Sequence, residues 1–227
     1  MNRLVITRIE YNQNQFIAYI LLDENRNFLD LQVFEPEEKT LLDNIYVGYV
    51  EKVVPNIQAA FVRIAEGQKC YLPFEEIKSP IFSKKQSEHK QICEGDELLV
   101  QVTRDAVKTK DPVVSTKLTV HGRYSLMTTD NTALGVSKKI PETRAAELLT
   151  LAKTLCDNDS GRWYGLLFRT NAAGATEEEL TEDIHFLQQK IEHIRTTGIH
   201  NRSCTLLDRN LPGYLSRLKA QNTESID

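Results

Sequence analysis

In the stretch NIQAAFVRIAEGQKCYLPF, residues 56 to 74, Phe61, Arg63, Lys69 and Tyr71 recur at a spacing that lets two rings and two cations share one surface. On an extended strand successive side chains point to opposite faces. If Ala60, Val62 and Ile64 face a core, Phe61 and Arg63 face outward; if Cys70 and Leu72 face in, Lys69 and Tyr71 share the exterior. A short turn near Glu66 and Gly67 then brings the two rings together. Rings exposed beside cations accept unpaired bases by stacking, at about 1 to 3 kcal/mol per base. Arg63, Lys69 and, further along, Lys110 are the groups placed to meet phosphates. The same parity is met if both rings pack beneath another part of the chain, and the residues alone leave these two readings open.

Charge bears on that chemistry. The chain has 28 Lys and Arg against 32 Asp and Glu, a net charge of -4, which at first disfavours a polyanionic partner. Its distribution is uneven. EPEEKTLLD (35–43) and EEELTED (177–183) are acidic, whereas 102–124 holds Arg104, Lys108, Lys110, Lys117 and Arg123 against Asp105 and Asp111. Arg202, Arg209, Arg217 and Lys219 follow towards the end. Screening limits distant charges to about 10 Å, so a local positive surface attracts phosphate on an acidic chain.

Other reactive types are dispersed. Cys70, Cys93, Cys156 and Cys204 form no CxxC pair and have no histidine cluster beside them, so a reduced compartment is expected and no zinc site. Glu178, Glu182 and His185 share a helical face with Asp183 alongside, but this is the ordinary polar face of a capped helix. Asp157 and Asp159 read as a polar turn. No apolar run reaches the roughly 18 to 20 residues of a membrane span, and the expected location is cytoplasmic, with no membrane partner.

The elements that must position these groups follow from periodicity. RLVITRIE (3–10) and QFIAYILL (15–22) read as strands around the turn YNQN, with a third in NFLDLQVF and a boundary near residue 40. From Asn44 onward five short strands, IYVGYVEKVV, QAAFVRI, KCYLPF, ELLVQVT and VVSTKLTV, predict a small barrel, with Gly67 and Gly95 at turns. An oligonucleotide-binding barrel and an SH3-like barrel share this periodicity. After Arg123 a helix is predicted over 141–155 with a stripe through Ala145, Leu148, Leu149, Ala152 and Leu155, then a strand, WYGLLFR, and a loop, TNAAGA. Thr176 and Glu179 form a capping box for a second helix marked by Leu180, Ile184, Leu187, Ile191 and Ile194 and ended by Gly198. A strand in SCTLLD and a short helix in LPGYLSRLKA complete the expected pattern.

VGYVEKVVPNIQAAFVRI, GQKCYLPFEEI, EGDELLVQVTRD and VVSTKL resemble an S1 RNA-binding domain, specifically that of the ribonuclease E/G family. HGRY (121–124), GVSKKI (135–140) and FRTNAAGA (168–175) continue the resemblance, which covers essentially the whole chain in order. It implies an α+β fold: a five-stranded S1/OB-type barrel inserted in a partial RNase H-like scaffold, with an adjoining α/β sensor subdomain for the 5′ end of RNA. The implied division is scaffold over 1–40, barrel over 41–122, sensor over 123–199 and returning scaffold over 200–227. By the same resemblance Phe61 and Tyr71 fall at aromatic RNA-contacting positions, with Tyr71 in place of the usual phenylalanine, and Lys110 falls near a basic contact. Arg169 and Thr170 match the 5′-phosphate-binding positions, and Lys138 and Lys139 stand where the family often has an arginine pair. An arginine fork grips a terminal phosphate with paired donors; lysines keep the charge without that geometry.

The family cleaves RNA with magnesium held by acids of a later domain, which are expected beyond Asp227. The expectation is therefore capture of single-stranded RNA without catalytic residues, metal or cofactor in this chain. Homo-oligomers or RNA-degradation partners are the associations implied, and no DNA specificity is evident. A metal-dependent endoribonuclease with a separately supplied catalytic domain and a protein-interaction module are the alternatives.

Overall fold

The hydrophobic alternation beginning at Arg3 produces a hairpin in the computed structural model, which describes residues 2–35, 40–89, 91–156 and 161–210. β1 (Arg3–Tyr11) and β2 (Asn14–Leu22) pair antiparallel without a break from Arg3↔Leu22 to Tyr11↔Asn14. Asn12 and Gln13 join them with φ of 49° and 64°. Two left-handed residues in a two-residue loop match the right-handed twist of the flanking strands. β3 (Phe28–Phe34) pairs with β2, and Leu29, Leu31 and Val33 along it are exposed. These strands lie in one compact unit, while Leu41–Arg209 form another.

In the second unit, β4 (Ile45–Val54), β5 (Ala59–Ala65), β6 (Gln68–Pro73), β7 (Phe82–Lys84), β8 (Glu97–Arg104) and β9 (Val113–Ser115) follow in order. Pairing runs β4-β5-β6-β9-β8 and closes through β4–β8, so five strands form a ring. β6 and β9 run parallel and the other pairs antiparallel. This is the S1/OB arrangement, and closure removes the unpaired strand edges that an open sheet would leave. Val50, Val62, Ile64, Cys70, Leu72, Leu98, Val100, Val102 and Val114 fill the interior. Gly67 and Gly95 occupy turns with φ of 70° and 87°.

The adjoining α/β subdomain has β10 (Thr119–His121), β11 (Ser125–Thr128), β12 (Leu134–Val136), α1 (Glu142–Cys156), β13 (Gly165–Phe168) and α2 (Glu177–His200). Its sheet order is β10-β11-β13-β12, with β12 and β13 parallel. Met127, Leu166 and Phe168 from the sheet meet Leu148, Ala152 and Cys156 from α1 and Leu180, Ile184, Leu187, Ile191 and Ile194 from α2. The core stripe of α1 thus runs through Cys156, with Ala145, Leu151 and Leu155 at its margins, and does not include Leu149. Thr176 Oγ1 accepts from the Glu179 amide, and Glu179 accepts from the Thr176 amide, completing the capping box.

Two local expectations change. TNAAGA is a 3-10 turn over Thr170–Gly174, and Gly198 lies inside α2 two residues before its end. A Cβ on Gly198 would come within 2.7 Å of Leu99 Cδ2, so this glycine permits close approach of α2 to the barrel strand β8 and is no stop signal. β14 (Leu206–Asp208) returns to pair with β4. The short helix expected in 211–220 and the polar turn at 157–159 lie outside the described residues. Among the described residues no helix is long and apolar enough to cross a membrane. The four cysteines are free.

Candidate nucleic-acid interface

The parity that sends Val62 and Cys70 fully inside sends Phe61 and Tyr71 outside, where both are half-buried. They are direct cross-strand partners, with ring centroids 6.1 Å apart and planes at 66°. Lys69 Nζ lies 4.7 Å from the centre of the Phe61 ring, and Lys52, exposed on β4, stands opposite Phe61 in the register. An edge-to-face ring pair with cations beside it offers an apolar step of the size of a base inside a positive rim. The Tyr71 hydroxyl reaches the Ile57 carbonyl at 3.5 Å, a long contact that tethers the ring loosely.

The cations around this step differ in how far they are engaged. Arg63 donates from Nε to Glu51 at 2.7 Å, lies 5.1 Å over the Tyr49 ring and contacts Cys204 Sγ at 3.5 Å. Glu51 first, then Cys204, raise its pKa further. Arg63 is thus held in a local network beside the rings. Lys69 has a looser, solvent-exposed partner, Asp111 at 3.6 Å. Lys110 is exposed in the tight turn 107–110, where its amide bonds the Val107 carbonyl at 3.0 Å. It immediately precedes Asp111 in the segment leading into β9, whose Val113 is the register partner of Tyr71. Burial pushes the Cys70 thiol up to about 12, with Asp111 adding to the effect, so it is an inert wall residue.

At the ends of the parallel strands β12 and β13 a second group gathers. Arg169 and Thr170 follow β13 and are exposed, as are Lys138 and Lys139 beyond β12. Thr170 Oγ1 lies 3.0 Å from Ser137 Oγ, and the Ser137 amide bonds the Phe168 carbonyl at 2.9 Å, so the two strand ends are tied directly. The Lys139 amide reaches Ser137 Oγ at 3.4 Å. The carboxyl ends of parallel strands commonly form ligand sites, because the loops there diverge and leave a crevice. Arg169 Nη1 donates to the Gly122 carbonyl at 3.4 Å, which aims the fork while leaving other donors available. His121, at the end of β10, is exposed on its outer side yet crowded by surrounding protein, which lowers its pKa; Arg169 and Lys190 lower it further, against Asp43.

Two residues of this group, Ser137 and Asn171, were not singled out in the sequence, and Asp183 was read only as part of a polar helical face. Ser137, Asn171 and Asp183 acquire their places only through contacts far along the chain: Asn171 Nδ2 donates to the Arg123 carbonyl, and Asp183 receives the amides of Arg123, Tyr124 and Ser125. The signal for Ser137 and Asn171 was that GVSKKI and FRTNAAGA, which hold them, belong to the family resemblance. Glu179, beside them, accepts the Tyr124 hydroxyl at 2.6 Å; that bond, then the Thr176 amide, holds its carboxyl below the usual range.

The helical carboxylates do not assemble a metal site. Glu178, Glu182 and His185 are exposed on α2, while Asp183 is saturated by donors. Among the described residues no group of three or more His, Cys, Asp and Glu side chains converges as metal ligands require.

The sequence that builds this geometry matches known proteins. Residues 119–227 match the model of the Ribonuclease E/G family. Ribonuclease G of Haemophilus influenzae is 30% identical over 180 residues, 75% of this chain and 36% of that protein. The Putative ribonuclease E of Buchnera aphidicola subsp. Baizongia pistaciae is 27% identical over 232 aligned positions, 96% of this chain and 55% of its own length. Ribonuclease E of Haemophilus influenzae is 28% identical over 232 aligned positions, again 96% of this chain but 24% of that protein. The chain therefore spans between about a quarter and about half of the length of these relatives.

Proposed function

On the premise that this chain matches the ribonuclease E/G family, we propose that it is an RNA-capturing portion of such an endoribonuclease: it binds single-stranded RNA on its barrel and recognises a 5′-monophosphate on the adjoining subdomain. The observation that carries this reading is the Phe61–Tyr71 pair on the outer face of a closed S1/OB barrel, with Lys69 over one ring. Bases stack on the rings. Lys69, Lys110 and the Arg63 network supply the positive rim along which the backbone lies, so affinity falls steeply with salt.

The terminal phosphate is received by Arg169 and the Thr170 hydroxyl, with Lys138 and Lys139 adding charge at the crevice. Cleavage by the family's magnesium chemistry belongs to residues other than those described here; this chain by itself binds RNA and leaves it intact. On this reading residues 1–40 and 200–227 belong to the RNase H-like scaffold that brackets the barrel (41–122) and the sensor (123–199), and the protein works in the cytoplasm.

The decisive measurement is fluorescence anisotropy with a labelled single-stranded RNA bearing a 5′-monophosphate or a 5′-hydroxyl. Wild-type protein binds both and prefers the monophosphate, and the Phe61→Ala/Tyr71→Ala variant weakens both equally. Unchanged affinity in that variant would remove the platform.

A further inference from the structure

We propose that Asp183 is a positioning residue for the terminal phosphate, acting on Arg169 through three consecutive peptide groups; the inference rests on the 5′-monophosphate reading above. Asp183 Oδ1 accepts the Arg123 amide at 2.7 Å. Its Oδ2 accepts the Tyr124 amide at 3.1 Å, the Ser125 amide at 2.9 Å and the Ser125 hydroxyl at 2.7 Å. One carboxylate thus satisfies three successive backbone donors, the concave arrangement by which a turn binds an anion.

The opposite ends of the same three peptide groups face the candidate phosphate site. The Gly122 carbonyl, bonded to the nitrogen of Arg123, accepts Arg169 Nη1 at 3.4 Å. The Arg123 carbonyl accepts Asn171 Nδ2 at 2.8 Å, and the Tyr124 carbonyl accepts the Arg169 amide at 2.8 Å. Because a peptide group is planar, fixing its N–H fixes its C=O. Asp183 therefore sets the direction of all three carbonyls that hold Arg169 and Asn171, and its charge strengthens them as acceptors through the same groups. Gly122 fits the arrangement: a Cβ there would collide with Asp183 Oδ1. Asp183 touches no ligand on this account. It orients the arginine fork that does.

The test compares RNAs that differ only in 5′-monophosphate against 5′-hydroxyl, bound to the full chain. Asp183→Asn keeps the shape but loses the charge and puts a donor in place of one acceptor oxygen; its preference for the monophosphate falls by about fivefold or more, while affinity for the 5′-hydroxyl RNA, held by the barrel, stays within about twofold. Equal loss for both RNAs marks a merely structural residue and overturns the proposal, as does an unchanged preference. Should circular dichroism show Asp183→Asn unfolded, Ser125→Ala, which removes one donor and keeps the carboxylate, decides: a reduced preference with intact 5′-hydroxyl binding supports the proposal, and an unchanged preference overturns it. Absence of any preference in wild-type protein would overturn the terminal-phosphate reading itself, a failure visible before any variant is made.

Discussion

The barrel face and the phosphate-end group solve opposite problems. Phe61 and Tyr71 sit ten residues apart on two strands joined by a turn, and their meeting needs only alternation and register. Arg169 is held by groups from residues 122 to 124, which Asp183 holds in turn from the far side. A stacking surface tolerates small displacements because dispersion and burial are non-directional. A donor fork does not, because hydrogen bonds weaken steeply with angle. On the function proposed above, the difference teaches that RNA affinity and end recognition should be separable by mutation.

The comparison breaks most visibly at a buried carboxylate on the barrel side. Asp96 has a fully buried side chain and accepts Lys85 Nζ at 2.6 Å and the amides of Gln86 at 2.8 Å and Cys93 at 2.7 Å. Burial works to raise its pKa, but Gln86, Lys85 and Cys93 together prevail and lower it. Asp96→Asn is expected to lower stability by about 3 kcal/mol in urea denaturation at pH 7. A carboxyl depressed in the folded state contributes above its unfolded pKa of about 4 and loses that contribution as pH falls through the folded value. The gap between wild type and variant should therefore close in acid.

Next in size is the platform. Phe61→Ala/Tyr71→Ala should cost about 2 kcal/mol of RNA affinity, roughly thirtyfold, for both kinds of 5′ end, as read by anisotropy. Arg169→Ala sharpens the contrast: it should remove about tenfold of preference for the monophosphate and leave 5′-hydroxyl RNA bound as before. Smallest is Asp111→Asn, which releases Lys69 from an exposed partner. It should change stability by no more than about 0.5 kcal/mol and tighten RNA binding roughly twofold at low salt.

What could be read in the sequence tracks this division. The outward parity of Phe61 and Tyr71, the Thr176 capping box and the core face of α2 were all set by near neighbours, and periodicity exposes such features. Periodicity did not separate an OB barrel from an SH3-like one, because the distinguishing pairs, β6–β9 and β4–β8, join strands far apart in the chain. Gly198 looked like a helix stop because the residue that requires it, Leu99, lies about a hundred positions away. The ion pair of Arg63 with Glu51 could not be read locally, since Glu51 reaches it from across the strand pair. Asp183 read as one more acid on a solvated face; its donors come from about 60 residues earlier.

A bare backbone pressed against Leu99 leaves the helix no slack over the barrel wall. Even a single methyl at Gly198 would collide with the Leu99 side chain, so either Leu99 or α2, which seats Ile191 and Ile194, must give way. Strain from any larger residue there falls on the barrel strand and the helix together, so Gly198→Ala should lower the stability of both, read by thermal denaturation followed in the far and near ultraviolet.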